Sequence, residues 1–238
     1  MKRILKLLLA KPVRVLNNTV LGLYLRLVKG KAQGIKQIDM KGKRILVLAP
    51  HEDDEVLGCG CLIKKTLEQK GHVKCIYMTD GSQSVSDGLT PEELGELRKI
   101  EAIRLAKNLG MDEPVFLGRP DGSLDPKDMD AAQKIARIIE EYKPDAVFIP
   151  YFLDGHKDHT AVSGIYLASV KMIENHKEFD TYCYEINSPI SVYGITHYLD
   201  CTGCFDVKQE ALGIYSSQTM SFESILSMNR LNRIIAEA

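Results

Sequence analysis

The most constraining feature of this chain is the stretch from Arg44 to Gly60, R-I-L-V-L-A-P-H-E-D-D-E-V-L-G-C-G. After its first residue the run to Pro50 is continuously apolar. Such a run predicts a strand covered on both faces, as in the middle of a parallel sheet. It stops abruptly at His51 and four consecutive carboxylates, Glu52 to Glu55, and a small-residue helical pattern follows. Four adjacent acids repel one another unless a cation sits among them, with the positive end of the next helix nearby. The stretch therefore predicts a strand, a turn and a helix, with a cation held at the turn.

The rest of the chain repeats the alternation. Strands are expected at 44–50, 73–78, 115–117 and 146–150, and helices at 55–69, 91–109, 125–142 and 159–173. Thr90, Pro91 and Glu93 form a capping box with proline at the first helical position. Further strands are expected at 182–186 and 192–198, and further helices at 206–215 and 222–235. Strand alternating with helix predicts an α/β fold, a Rossmann-like three-layer αβα sandwich with a mostly parallel sheet. Polar loops follow the strands at 79–88, 118–123 and 151–158. They gather at the carboxyl edge of the sheet, where open α/β sheets bind ligands.

Net charge is −1, which gives no electrostatic case for nucleic acid. Six cysteines are too few for a disulfide scaffold and suit a reducing compartment. Cys201-Thr-Gly-Cys204 has the spacing of a zinc knuckle but no second pair. Residues 1–40 form a separate basic, leucine-rich segment, and residues 41–238 the main domain. Lys and Arg interrupt the segment too often for it to span a bilayer, and no A-x-A cleavage pattern is present. Residues 1–30 are suited to lie on an anionic membrane surface, or else to pack on the domain or on a partner subunit of a homo-oligomer. The expected location is cytoplasmic, peripheral on the inner face of a membrane.

The second half of the cation site is Asp154-Gly-His156-Lys-Asp158-His159, again directly after a buried strand. Combined with His51 and its acids, it permits His/Asp/His ligation of Zn²⁺. Three protein ligands and an open position form the catalytic kind of zinc site. A spare carboxylate and a spare histidine remain for acid–base work.

These two motifs resemble those of the PIG-L/LmbE family of zinc-dependent de-N-acetylases. Pro50-His-Glu-Asp-Asp-Glu55 is similar to its first motif, (A/P)-H-P-D-D-E, and His156-Lys-Asp-His159 to its second, H-P-D-H. Fainter similarities are Thr79-Asp-Gly81, Arg98-Lys-Ile-Glu101, Leu117-Gly-Arg-Pro-Asp-Gly122, and Lys208 with Ser217-Gln218. Together they cover roughly residues 43 to 220. The resemblance implies that His51, Asp54 and His159 hold zinc, and that Asp53 is the general base. It implies that His156 stabilises the oxyanion or protonates the leaving amine, and that Asp158 orients His156 or His159. Arg98 and Asp121 would lie near the substrate or support the loops. The implied reaction removes acetyl from an N-acetylated amino sugar. The chain departs from the pattern at Glu52 and Lys157, where the family has proline.

Each position also has a structural reading. Asp158 can cap a helix, Arg98 and Glu101 can belong to a solvated charged face, and Asp121-Gly122 is a turn signal. Gly58-Cys-Gly60 is no dinucleotide loop, because Ile63 holds the third glycine's place and the acids would repel a pyrophosphate. Two other functions compete: a non-catalytic carbohydrate-binding scaffold of the same fold, and a metal-dependent phosphoesterase. Two histidine ligands favour zinc over magnesium.

Overall fold

A computed structural model describes residues 2–28, 31, 34–83, 88–174, 178–217 and 222–236. In chain order the elements are α1 (Lys2–Val28), β1 (Lys36–Gln37), β2 (Arg44–Ala49), α2 (Asp54–Glu68), β3 (His72–Thr79), α3 (Pro91–Leu109) and β4 (Val115–Arg119). They continue with α4 (Met129–Tyr142), β5 (Ala146–Pro150), α5 (Lys157–Val170), β6 (Asp180–Tyr184), β7 (His197–Tyr198), α6 (Phe205–Leu212) and α7 (Glu223–Ala236). The chain forms two compact units. One comprises residues 39–188 and 199–219, the other residues 1–38, 189–198 and 220–238.

The larger unit is built on a five-stranded sheet in the order β4-β3-β2-β5-β6, every pair parallel. The α/β expectation holds. Strands β2 and β5 are the continuously apolar runs, buried along almost their whole length. Leu46, Leu48, Ile76, Met78, Val147 and Ile149 pack on one face against α4 and α5. On the other face α2 comes so close to β6 that a Cβ at Gly58 would sit 2.0 Å from the Tyr184 ring. The Tyr184 hydroxyl donates to Leu48 O (2.7 Å), so the side chain under α2 also braces β2.

Strands β2 and β5 are adjacent, and the order runs outward from them in both directions. The pair is the topological switch point, where loops diverge and leave a crevice at the carboxyl edge. The end of β2 is firmly tied. Pro50 O accepts from Thr79 N (3.0 Å), Thr79 Oγ1 (2.8 Å) and Ser163 Oγ (3.1 Å).

Several boundaries differ from expectation for local reasons. Helix α2 starts at Asp54 because Asp53 turns the chain into it. Helix α4 starts at Met129 because Asp128 caps Ala131 N (2.9 Å), after a turn closed by Asp125. The capping box of α3 forms as read, with Thr90 Oγ1 accepting from Glu93 N and Glu93 Oε2 from Thr90 N. Of the strand expected at 192–198 only β7 forms. Gly194 N bonds Ser191 O (2.7 Å) in a turn, and Val192 is buried elsewhere.

The smaller unit has its own apolar core. Leu25 and Val192 are buried with Leu21, Val28, Ile35, Ile195 and Leu231 around them. Strands β1 and β7 pair in parallel, and Arg14 of α1 pairs with Glu223 at the start of α7. Among the described residues no helix is long and apolar enough to cross a membrane.

Candidate metal centre

The two motif loops meet above β2 and β5. Asp53 is the turning residue, with φ 132° and ψ −28°, a left-handed conformation that is strained for a side chain with a Cβ. Its N–H donates to Glu55 Oε2 (3.1 Å), and its carbonyl accepts from Val56 N and Leu57 N. Glu55 is wholly buried, and its other oxygen accepts from the Tyr215 hydroxyl, which lies 3.4 Å from that of Tyr77. This network holds Asp53 in its turn. Sequence alone does not reveal it, because Tyr215 lies 160 residues from Glu55.

Asp54 opens α2 and turns one oxygen inward. Asp54 Oδ2 is 3.1 Å from His51 N, 3.0 Å from His51 Nδ1 and 3.3 Å from His159 Nε2. Each imidazole has a carboxylate on its other nitrogen. His51 Nε2 lies 3.1 Å from Asp121 Oδ1 and 3.3 Å from Asp158 Oδ2. His159 Nδ1 lies 3.2 Å from Asp154 Oδ1, close enough for ion pairing though not aligned as a hydrogen bond. His156 completes the group, its ring centre 5.0 Å from that of His51 and 4.9 Å from that of His159. Within 4.8 Å of one another lie ligand atoms of His51, His156 and His159, and separately of His51, Asp121 and Asp158.

Burial works against charge here and the partners overcome it. Burial disfavours protonated His51, yet Asp121, Asp158 and Asp54 raise its pKa well above the usual value. Burial likewise opposes His159, and Asp54 and Asp154 raise it to about 9. Burial pushes Asp54 up, but His159 and His51 hold it far below the ordinary range. Asp53 is raised well above its usual value by burial and then by the charge of Asp54. His156 is lowered, by burial first and then by the other two histidines.

Other expected residues find defined places. The Asp158 carboxylate faces His51, rather than His156 or His159. It also accepts from Gly122 N (2.7 Å) and Leu124 N (3.1 Å), holding the loop after β4. The cap of α5 is His156, whose Nδ1 accepts from Asp158 N (3.3 Å). Asp121 accepts from Gln83 N (2.9 Å), and its own N–H donates to Asp80 Oδ1 (3.2 Å). It therefore supports loops as well as facing His51. Arg98 and Glu101 are buried rather than solvated. Glu101 accepts from Ser216 Oγ (2.7 Å) and Ser217 N (3.0 Å). Lys208 donates to Leu57 O (2.6 Å). Gln218 and residues 84–87 lie outside the described residues. Asp154 opens the second motif, but the sequence assigns it no role. Its lead of two residues before His156 reads as a turn, and it does accept from His156 N (2.8 Å) while facing His159.

Glu52 stands where the resemblance puts proline. It is buried against the loop after β3. A Cβ on Gly81 (φ 62°) would meet Glu52 Oε2 at 2.4 Å and Arg98 Cδ at 2.7 Å. Burial raises its pKa to about 7 despite the nearby Arg98 charge.

A parallel α/β sheet with histidines and carboxylates converging at its switch point defines the class: an α/β protein with a candidate metal site between two strand-end loops. Comparison with known proteins narrows it. A model of the PIG-L family, GlcNAc-PI de-N-acetylase, matches residues 46–170, and the chain belongs to that family. It is 29% identical over 190 residues to diacetylchitobiose deacetylase of Thermococcus kodakarensis, covering 74% of this chain and 70% of the relative. It is 28% identical over 185 residues to a probable N-acetyl-α-D-glucosaminyl L-malate deacetylase 2 of Bacillus cereus, covering 74% and 84%. The fold matches the crystal structure of N,N'-diacetylchitobiose deacetylase from Pyrococcus horikoshii, with a TM-score of 0.66 and 24% identity over 81% of this chain and 76% of that one.

Proposed function

We propose that the protein is a zinc-dependent hydrolase that removes the acetyl group from an N-acetylglucosamine-type conjugate. One observation carries the reading. His51 Nδ1 and His159 Nε2 converge on Asp54 Oδ2, and each ring's outer nitrogen faces a carboxylate. Outer carboxylates of this kind fix the tautomer and raise the basicity of metal-bound imidazoles. The donor set fits zinc: His51, Asp54 and His159 would hold it, leaving His156 and Asp53 for the reaction. Bound zinc supplies Lewis acidity and a water of lowered pKa. Asp53, next to the proposed ligand Asp54, would take the water's proton as general base and pass it to the departing amine. The Nδ1 of His156 is engaged as an acceptor, so Nε2 carries the hydrogen and donates it to the developing oxyanion.

The substrate class rests on the relatives. The two named above act on compounds that share an N-acetylated glucosamine and differ in what it is joined to. We place the enzyme in the cytoplasm, peripheral on the inner face of a membrane.

Metal analysis paired with an amine-release assay on N-acetylglucosamine conjugates tests this. Asp53→Ala is expected to retain zinc and lose turnover by about 10²–10⁴-fold, whereas His159→Ala loses zinc. Full activity in Asp53→Ala would overturn the assignment of the base.

A further inference from the structure

Charge is unevenly divided between the two units. The smaller one, residues 1–38, 189–198 and 220–238, contains eleven Lys and Arg against two Glu, a net of +9. The whole chain is −1, which leaves −10 on the larger unit. No acid precedes Asp39, while nine Lys and Arg do. Such an asymmetry points to a polyanionic partner for the smaller unit.

The apolar residues of α1 say what kind. Val13, Leu16, Val20, Leu23, Tyr24 and Leu27 are 44–73% exposed. At about 100° per residue these positions fall within an arc of about 100°, a continuous stripe along one side of the helix. Gly22 and Leu25, on the other side, are buried, and a Cβ on Gly22 would lie 3.6 Å from Leu231 of α7. Helix α1 thus uses one face for its own core and leaves a second apolar face uncovered. A monomer rarely exposes such a face without a use for it. Among the described residues no helix is long and apolar enough to cross a membrane, and an exposed apolar stripe on a basic helix is suited to lie in an interface. A nucleic acid would satisfy the positive charge and leave the stripe in water.

We propose that α1 docks the protein on an anionic lipid bilayer, with the stripe from Val13 to Leu27 in the headgroup–acyl boundary and the basic residues of its unit against acidic headgroups. Basic side chains near such a surface and apolar area buried in it both contribute. The proposal deepens the peripheral placement above and is independent of the deacetylase chemistry.

Flotation of the full-length protein with vesicles tests it. Partition onto vesicles of phosphatidylcholine with about a third phosphatidylglycerol is expected to exceed that onto phosphatidylcholine alone by about tenfold or more, and to fall as salt rises. The triple variant Leu16→Gln/Leu23→Gln/Leu27→Gln is expected to lose about tenfold or more of this partition. Val15→Gln, exposed but outside the stripe, is expected to lose none. All four positions are exposed, so matching far-UV circular dichroism and unchanged amine release in vesicle-free solution are expected of every variant. Three results would overturn the proposal. They are equal partition onto neutral and anionic vesicles, undiminished partition of the triple variant, and a wild-type dimer in solution that the triple variant dissolves. Any of these, with amine release intact, would leave the deacetylase reading standing.

Discussion

Glu52 and Asp53 are neighbours that the fold treats in opposite ways. Asp53 is held in a strained turn by Glu55, while Glu52 is pressed under Gly81 beside Arg98. Burial raises Glu52 from an ordinary 4.5 to about 7. Below 4.5 both the folded and unfolded chains hold this proton and nothing is lost. As pH rises towards 7 the unfolded chain releases it first, so stability falls through that window. Glu52→Gln removes the titration. In metal-depleted protein the variant is expected to be more stable than the parent at about pH 8, by a few kcal/mol, with the difference gone near pH 4. Urea titrations at the two pH values check this, and equal stability gains at both would refute it. At this scale the sequence was most legible where residue type carries the chemistry. Asp54 was picked from its neighbouring acids by the family resemblance, whereas His51 and His159 stood out because histidine beside clustered carboxylates has few structural uses. Asp154 and Glu55 did not, because their partners are set by loop geometry and by a tyrosine far along the chain.

Helix α2 carries the first motif, and its height above the sheet is set by a residue with no side chain. Gly58→Ala would drive a methyl into the Tyr184 ring and push α2 away from β6. A cost of about 1–3 kcal/mol is expected from overpacking, and a fall in Tm of about 2–10 °C. On the proposed ligation by Asp54, zinc affinity falls as well, since Asp54 moves with the helix. Thermal unfolding with and without added zinc measures both effects, and an unshifted Tm would show that α2 yields without strain. The elements themselves were largely readable. Runs such as Ile45–Ala49 and Ala146–Pro150 can only be covered strands, and the capping box at Thr90 fixes a helix start. What could not be read is how side chains compete for the same backbone. Asp128 rather than Asp125 starts α4, and His156 rather than Asp158 caps α5. Val192 is lost from the expected strand because burial beside Leu25 outweighs its β-propensity.

The whole molecule divides along lines that sequence alone does not draw. Sequence reading parts residues 1–40 from 41–238, whereas residues 1–38 form a compact unit with 189–198 and 220–238, which come from far along the chain. Only packing reveals the partnership, through contacts such as Gly22 with Leu231. Deleting residues 1–35 would therefore expose Val192, Ile195 and Leu231. The truncated protein is expected to self-associate or precipitate, read as a shift to larger species in size-exclusion chromatography. A well-behaved monomer would contradict this. The strand order β4-β3-β2-β5-β6 has a consequence in time as well as in space. His51 and Asp158, which face each other, are 107 residues apart, and β5 joins the sheet only after β2, β3 and β4 have been made. On a growing chain the half-site at β2 stays open until the second loop has emerged and β5 has docked. On the proposed ligation, metal capture would fall among the last events of folding and act as a seal on a sheet already assembled.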